Sequence, residues 1–403
     1  MSPMPENAAK SERIQLPVLR DDPTRVPEEY LRLRDERPVC PVSMVTGDPA
    51  YLVSKHEDLK TVLGDRRFSR AAMCADDAPR CQAVQPHPDT ILNMDPPRHT
   101  PLRKLAVEGF TPKRVEEMRP RIEEITHELL DDMAAMTPPV DLVAAFSLPL
   151  PLRVICENLG IPYEDHEKFL EWVDVIMTFN TPHEVLIPAY MQLRGYFEDL
   201  LNKKRANLGD DFLSVLIRRA DEERRLTESE LLSLCTILMV AGHETTVTML
   251  TNGTLNMMRH PDQLAALRAD PSLMPNAVEE MLRLGLSGLS PYPRVALTDV
   301  ELSGEVVPRG SAVIVNYETA LRDPEIFPDP ERFDIRRKPV SQVFFGHGPH
   351  FCLGSTMGRV ELEIGIRALF ERFPTLALAI PPEELKWKDY ATLGNFETFP
   401  VTW

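Results

Sequence analysis

The sequence predicts a mainly α-helical body with a small antiparallel β part. Three observations carry this. Apolar residues recur at helical spacing in long blocks between Thr100 and Leu284, and again from Ser355 to Phe373. Thr227 and Glu230 form a capping box that opens the longest of these blocks, which runs to about His260. Strand-like alternation is confined to short stretches, chiefly between Arg294 and Asn316.

In chain order, Pro27 to Glu36 gives a short amphipathic helix, Ala50 to Val53 a strand, and Lys55 to Leu63 a small helix. Ala71 to Asp95 mixes proline, cysteine and polar residues without period and reads as a long loop, a length that in a compact domain usually carries function. Helices are predicted at Thr100–Gly109, Lys113–Met136, Pro149–Leu159, Tyr163–Ile176, His183–Asn207 and Asp210–Ala220. The capped helix follows, on the order of 50 Å long at 1.5 Å per residue. Pro261–Asp270 and Met274–Leu284 are helical; Arg294–Leu297, Val300–Leu302, Glu305–Val307 and Ser311–Asn316 are strands. A last hairpin is expected between Leu376 and Trp403.

The chain has 403 residues, a size compatible with two or three domains, but no linker, composition break or repeat divides it. One domain over 1–403 is therefore expected. The formal charge of −17, with no long basic run, argues against nucleic acid or an anionic membrane as partner. Six scattered cysteines without a CxxC pair read as reduced thiols. Met1 to Pro17 lacks the apolar core of a signal peptide, and the apolar run Leu231 to Gly242 is shorter than a membrane span. A cytoplasmic, monomeric protein is the expectation.

Chemistry concentrates in Phe345-Gly346-His347-Gly348-Pro349-His350-Phe351-Cys352-Leu353-Gly354, a glycine-bounded loop that presents one cysteine ahead of a helix. Gly348 can take backbone angles closed to other residues. Unpaired N–H groups at the following helix start can point at the sulfur, lowering the thiol pKa and keeping it anionic. Gly354 has no side chain at the start of that helix, and Phe345 and Phe351 offer the sulfur a dry shell. The plainer alternative for a lone cysteine is a buried structural thiol. The pattern Phe-x-x-Gly-x-x-x-Cys-x-Gly, however, resembles the haem-ligand loop of the cytochrome P450 family. That resemblance implies the cytochrome P450 fold, haem b as cofactor with Cys352 as its axial thiolate and metal ligand, and dioxygen as co-substrate.

Three further constellations extend the resemblance. Ala241-Gly242-His243-Glu244-Thr245-Thr246 interrupts the apolar central helix, and the glycine and paired threonines predict a local distortion there. It is similar to the family's oxygen-binding stretch. The match implies that Gly242 borders the dioxygen site, Thr245 donates its hydroxyl there, and Glu244 brings protons in. His243 and Glu244 are adjacent and are expected to face different ways. His99 and Arg103 share a helix face, and with Arg294 and His350 they match the family's partners for the haem propionates. Glu280 and Arg283, with the later Arg332, match a buried ionic cluster behind the haem loop. Leu321-Arg322-Asp323-Pro324 departs from the family's Asn-Arg-Asp-Pro.

The resemblance implies a soluble bacterial haem-thiolate monooxygenase taking electrons from a separate ferredoxin or flavodoxin with its NAD(P)H reductase. Lys104, Lys113, Arg114 and Arg359 are candidates for that docking face. Met73, Ile91, Leu92, Met177, Phe179, Leu238, Ala241, Leu289 and Tyr292 suggest a roomy pocket for a fairly large apolar natural product, hydroxylated or epoxidised, with a macrolide or other polyketide as the family's common case. Two alternatives stay open: a haem-thiolate enzyme performing oxidative coupling, desaturation or peroxide chemistry, and a non-enzymatic haem sensor or carrier.

Overall fold

The computed structural model describes residues 13–403 except 286, 287, 289–291, 339, 341 and 342. The helices are α1 (Glu28–Glu36), α2 (His56–Gly64), α3 (His99–Val107), α4 (Pro112–Ala134), α5 (Pro149–Leu159), α6 (His166–Ile176), α7 (His183–Ala206), α8 (Phe212–Asp221), α9 (Glu228–Arg259), α10 (Pro261–Ala269), α11 (Met274–Leu284), α12 (Tyr317–Ala320) and α13 (Ser355–Arg372). Except for the one-turn α12, which the sequence pattern does not mark, their bounds follow the apolar periodicity to within a few residues. The capping box of α9 is formed: the Thr227 hydroxyl accepts from the Glu230 N–H, and the Glu230 carboxylate accepts from the Thr227 N–H.

The strands are β1 (Ile14–Gln15), β2 (Val39–Ser43), β3 (Pro49–Val53), β4 (Phe68–Ser69), β5 (Val140–Asp141), β6 (Arg294–Ala296), β7 (Val300–Leu302), β8 (Glu305–Val307), β9 (Ala312–Val315), β10 (Ala377–Leu378) and β11 (Pro400–Thr402). The largest sheet has the order β1-β2-β3-β9-β6-β4. It is mixed rather than wholly antiparallel, because β3 pairs in parallel with β9, Ala50 opposite Ala312. β1 also runs parallel to β2. The expected C-terminal hairpin exists as β10 against β11, with β5 added at its edge.

Helix α9 runs through the middle of the helical layer. It packs against α5, α7, α8, α11 and α13, and its residues enter both large apolar cores. By length and composition the whole of α9 could span a bilayer, unlike the shorter run Leu231 to Gly242, but 61% of its apolar window is buried within the fold. The helix needs that apolar surface on all sides because protein surrounds it.

Behind the cysteine loop, Glu280 and Arg283 form the expected buried ion pair, at 2.8 Å, with both side chains at most 2% exposed. The third partner is corrected. The Arg332 side chain is 65% exposed and, among the described residues, reaches only Asp334. Arg337 reaches Glu280 instead, at 3.1 Å. Arg332 contributes its backbone carbonyl, which accepts from both Arg283 and Arg337. The departure at Leu321 does no harm locally: Arg322 is buried and donates to the carbonyls of Leu284 and Glu318.

Candidate active site

The cysteine loop sits at the N-terminal end of α13. Gly346 and Gly348 both have positive φ, +79° and +71°. At Gly348 a side chain is excluded twice, since a Cβ would lie 2.8 Å from the Leu63 carbonyl oxygen and 2.9 Å from the Gly64 Cα. The loop therefore rests on the end of α2. The Cys352 N–H donates to the Phe345 carbonyl at 2.8 Å, closing the loop on itself. Phe345 packs against Phe344 and Phe351 and lies under the Arg359 guanidinium, which also pairs with Glu279.

The Cys352 side chain is exposed to a central cavity of about 290 Å³ that lies deep among the surrounding residues of the fold. Burial pushes its thiol above the ordinary range. The Gly354 N–H, donating to the sulfur, and the Arg103 and Arg359 guanidiniums pull the other way. The expected donor is present, but in the protein alone it does not outweigh desolvation. A Cβ on Gly354 would meet nothing within 4 Å, so the space above it is open.

His99, Arg103, Arg294 and His350 all line this cavity. The His99 and His350 rings stand 4.4 Å apart. Arg103 donates to the Phe351 carbonyl, tying α3 to the cysteine loop. Burial lowers His99, and burial together with Arg294, His99, Arg70 and Arg103 pushes His350 down to about 2, so both rings are neutral. Burial and the nearby Arg70 bring Arg294 down to about 10. Two buried polar atoms here lack a hydrogen-bond partner among the described residues: Arg294 Nε and His350 Nε2. Cations packed together with orphaned donors call for an anionic group. The only carboxylate lining the cavity among the described residues is Glu361. No cluster of three or more His, Cys, Asp or Glu side chains forms a metal site among the described residues, so a metal facing Cys352 would need most of its ligands from a cofactor.

The opposite wall is α9. Ala241, Gly242 and Thr245 face the cavity. The expected local distortion is absent, for the helix is continuous from Glu228 to Arg259. Gly242 serves packing instead: a Cβ there would lie 2.5 Å from Ile155 Cγ1 of α5. The Thr245 hydroxyl donates to the Ala241 carbonyl at 3.1 Å, and Thr248 does the same to Glu244. Such bonds satisfy the hydroxyls inside a regular helix.

Glu244 does not line the main cavity. It faces a second crevice of about 80 Å³, with Asp174, Lys388, Asn395 and Glu397. Met177 and Leu393 border both spaces. His243 and Glu244 do meet, contrary to the expectation from adjacency: His243 Nδ1 lies 3.0 Å from the Met239 carbonyl and Nε2 lies 3.5 Å from Glu244 Oε1. Burial raises the Glu244 carboxyl, but His243 and Lys388 outweigh it and hold the group below its ordinary value.

One buried acid was missed by sequence reasoning. Glu361 on α13 is 1% exposed, accepts a hydrogen bond from the Thr246 hydroxyl, and is pushed up to about 8 by burial. It shares a helix face with the cavity residues Met357, Gly358 and Leu362, and that spacing is the signal that could have found it.

Ile91, Leu92, Met177, Leu238, Ala241 and Tyr292 line the cavity as expected, with Phe110, Ile155, Ile237 and Leu393 in addition. Met73 is buried away from it, and Phe179 borders a separate small pocket beside Cys81 and Ile314. Leu289 lies outside the described residues. Of the docking cations, Lys104 and Lys113 are exposed, whereas Arg114 is tied to Asn158 and Arg359 to Glu279.

A cysteine loop under an apolar cavity, ringed by unmatched cations and faced by a polar stretch of a long continuous helix, is what a buried iron porphyrin requires. The family model for cytochrome P450 matches residues 27–388. The chain belongs to the cytochrome P450 family. It is 43% identical to the cytochrome P450 monooxygenase PikC of Streptomyces venezuelae over 93% of this chain and 90% of that one. It is 39% identical to the mycinamicin IV hydroxylase/epoxidase of Micromonospora griseorubida over 93% and 94%. The crystal structure of SgvP, described as a thioether synthase in the tailoring of griseoviridin, superposes with a TM-score of 0.93 at 40% identity, covering 97% of this chain and all of that one. This P450 is thus a haem-thiolate monooxygenase by class, and the residues present fit haem b: a thiol, a two-carboxylate cradle of cations, and open space over Gly354.

Proposed function

We propose that this P450 inserts one oxygen atom from dioxygen into a fairly large, mainly apolar natural product, hydroxylating or epoxidising it, with a macrolide or other polyketide as the favoured class. The observation that carries this reading is the shared cavity. Cys352 opens onto it from one side, Thr245 from the other, and apolar side chains fill most of the remaining wall. The hydroxylase and epoxidase names of the relatives support the reaction type.

In this reading Cys352 would bind the haem iron through its sulfur, which the Gly354 N–H supports. His99, Arg103, Arg294 and His350 would hold the propionates. When bound, the haem supplies dioxygen activation by two successive one-electron reductions. Thr245 presents its hydroxyl oxygen to the cavity and can give a proton there once it releases the Ala241 carbonyl. Glu244 stands in the second crevice, where His243 at 3.5 Å and the charge of Lys388, itself paired with Asp174, hold its carboxyl below the ordinary range. It is placed to collect protons from solvent, and Thr245 to deliver them, with water between. Electrons come from a separate ferredoxin and reductase, with exposed Lys104, next to the Arg103 that binds the cysteine loop, as the first candidate contact and Lys113 as a second.

The test is turnover with ferredoxin, reductase, NADPH and isotopically labelled dioxygen against a panel of macrolide and polyketide precursors. One labelled oxygen per product is expected. Likeness to a thioether synthase favours bond coupling as the second reading. Coupled or desaturated products without label would establish that reading in place of the first.

A further inference from the structure

Arg70 is a buried cation that the roles above do not use. It follows β4 and is 3% exposed. Its Nε donates to the Leu92 carbonyl at 2.8 Å, one terminal nitrogen to Asn93 Oδ1 at 2.6 Å, and the other to the Pro293 carbonyl. All three acceptors are neutral. A guanidinium has five N–H groups, so two remain without a protein acceptor among the described residues. No carboxylate pairs with Arg70 among those residues. The nearby Asp95 is engaged by the Ser69 hydroxyl and by the Arg70 backbone N–H. The guanidinium lies 5.3 Å from the centre of the Tyr292 ring, and both side chains line the central cavity beside Ile91 and Leu92.

The charge balance of the cavity points the same way. Arg70, Arg103 and Arg294 are its arginines, and its one lining carboxyl, Glu361, is neutral when pushed up to about 8. Two propionates would answer two of these cations. The third is left over, and a buried cation without an anion is costly. Arg70 is the one held by the long loop and the residues just before β6, where apolar pocket residues cluster.

We propose that Arg70, stacked on Tyr292, receives a carboxylate at one end of an otherwise apolar substrate and so sets substrate specificity. This rests on the monooxygenase reading but refines it: the substrate is an amphiphile with one anionic oxygen group. A planar guanidinium with two N–H groups to spare suits a carboxylate better than a lone carbonyl. The same chemistry could answer a haem propionate, so the experiment separates the two sources.

The haem-loaded protein is titrated at pH 7 with tetradecanoic acid and with its methyl ester, and binding is followed by the change in haem absorption. The native protein is expected to bind the acid about ten-fold more tightly or better, the worth of a charge-assisted hydrogen bond. Arg70→Gln should bring the acid–ester ratio close to one while haem content and iron potential stay as in the native protein. Arg70→Lys, which keeps the charge and guards against a misfolded Gln variant, should retain part of the preference. Equal affinity for acid and ester in the native protein overturns the proposal without any variant. Loss of haem or a shifted potential in both variants, with the acid–ester ratio unchanged, also overturns it and assigns Arg70 to the cofactor. These are equilibrium readouts, so a protein that binds acids selectively yet inserts no oxygen would refute only the monooxygenase reading.

Discussion

Replacing Glu361 by glutamine should remove a pH-dependent weakness in the fold. The carboxyl is fully buried, its Oε2 has no partner, and its folded pKa is about 8 against an ordinary 4.5. Between those values the folded chain keeps a proton that the unfolded chain has released. Stability is therefore fully present below about pH 4.5 and falls with rising pH until the folded group itself ionises near pH 8. The slope is about 1.4 kcal/mol per pH unit. Over some three and a half units the loss sums to about 5 kcal/mol, a large share of a typical domain's stability. Glutamine has the shape of the neutral acid and does not titrate. Native protein and Glu361→Gln should thus lie within about 1 kcal/mol of each other at pH 5, and the variant should be ahead by roughly 4 kcal/mol at pH 8. Urea unfolding of the haem-loaded proteins, followed by far-ultraviolet circular dichroism at fixed ionic strength from pH 5 to 8.5, measures the difference. Parallel stability curves for the two proteins would refute the reasoning, since they would mean that Glu361 carries no proton across this range.

Cys352→Ser should abolish the red-shifted thiolate absorption of the ferrous carbon monoxide complex, and a variant that kept this spectrum would disprove the ligand assignment. Arg337→Ala removes a partner of the buried Glu280 and should cost about 3 kcal/mol in denaturant unfolding, whereas Arg332→Ala, on an exposed side chain, should stay within about 0.5 kcal/mol; the reverse order would restore Arg332 to the cluster. Thr245→Ala should leave substrate binding and NADPH consumption nearly intact while electrons depart as hydrogen peroxide, and Glu244→Ala should slow turnover. Product formed per NADPH consumed, with peroxide measured in parallel, decides this, and unchanged coupling in both variants would remove the pair from proton delivery.

The longer helices were legible because they repeat their apolar spacing over several turns, and α9 also carries its own start signal in Thr227 and Glu230. The mixed sheet was not, because β3 and β9 are short and meet across some 260 residues of chain, and nothing local in Ala50 to Val53 says which strand lies beside it. The cysteine loop and the His99–Arg103 pair could be read since their spacing is itself the geometry. Arg332 could not be told from Arg337. Between them the chain turns at Asp334–Arg337, and only that turn decides which guanidinium swings back to Glu280. Gly242 was read as weakening its helix, whereas the contact that requires glycine comes from Ile155 on another helix. Arg70 carried no sequence signal, because its surroundings are assembled from Leu92, Asn93 and Pro293.

The seating of Gly348 on Leu63 and Gly64 ties the working lifetime of the enzyme to a nine-residue helix. Arg103 and Arg359 brace the cysteine loop from other sides, but Gly348 keeps its seat only while the end of α2 stays wound beneath it. Local opening of so short a helix takes far less free energy than global unfolding. Ageing of the ligated protein on the bench should then follow amide exchange at Val62 to Gly64 rather than the melting temperature. Stiffening α2 at positions remote from the cavity would prolong activity without touching a single residue that meets cofactor or substrate.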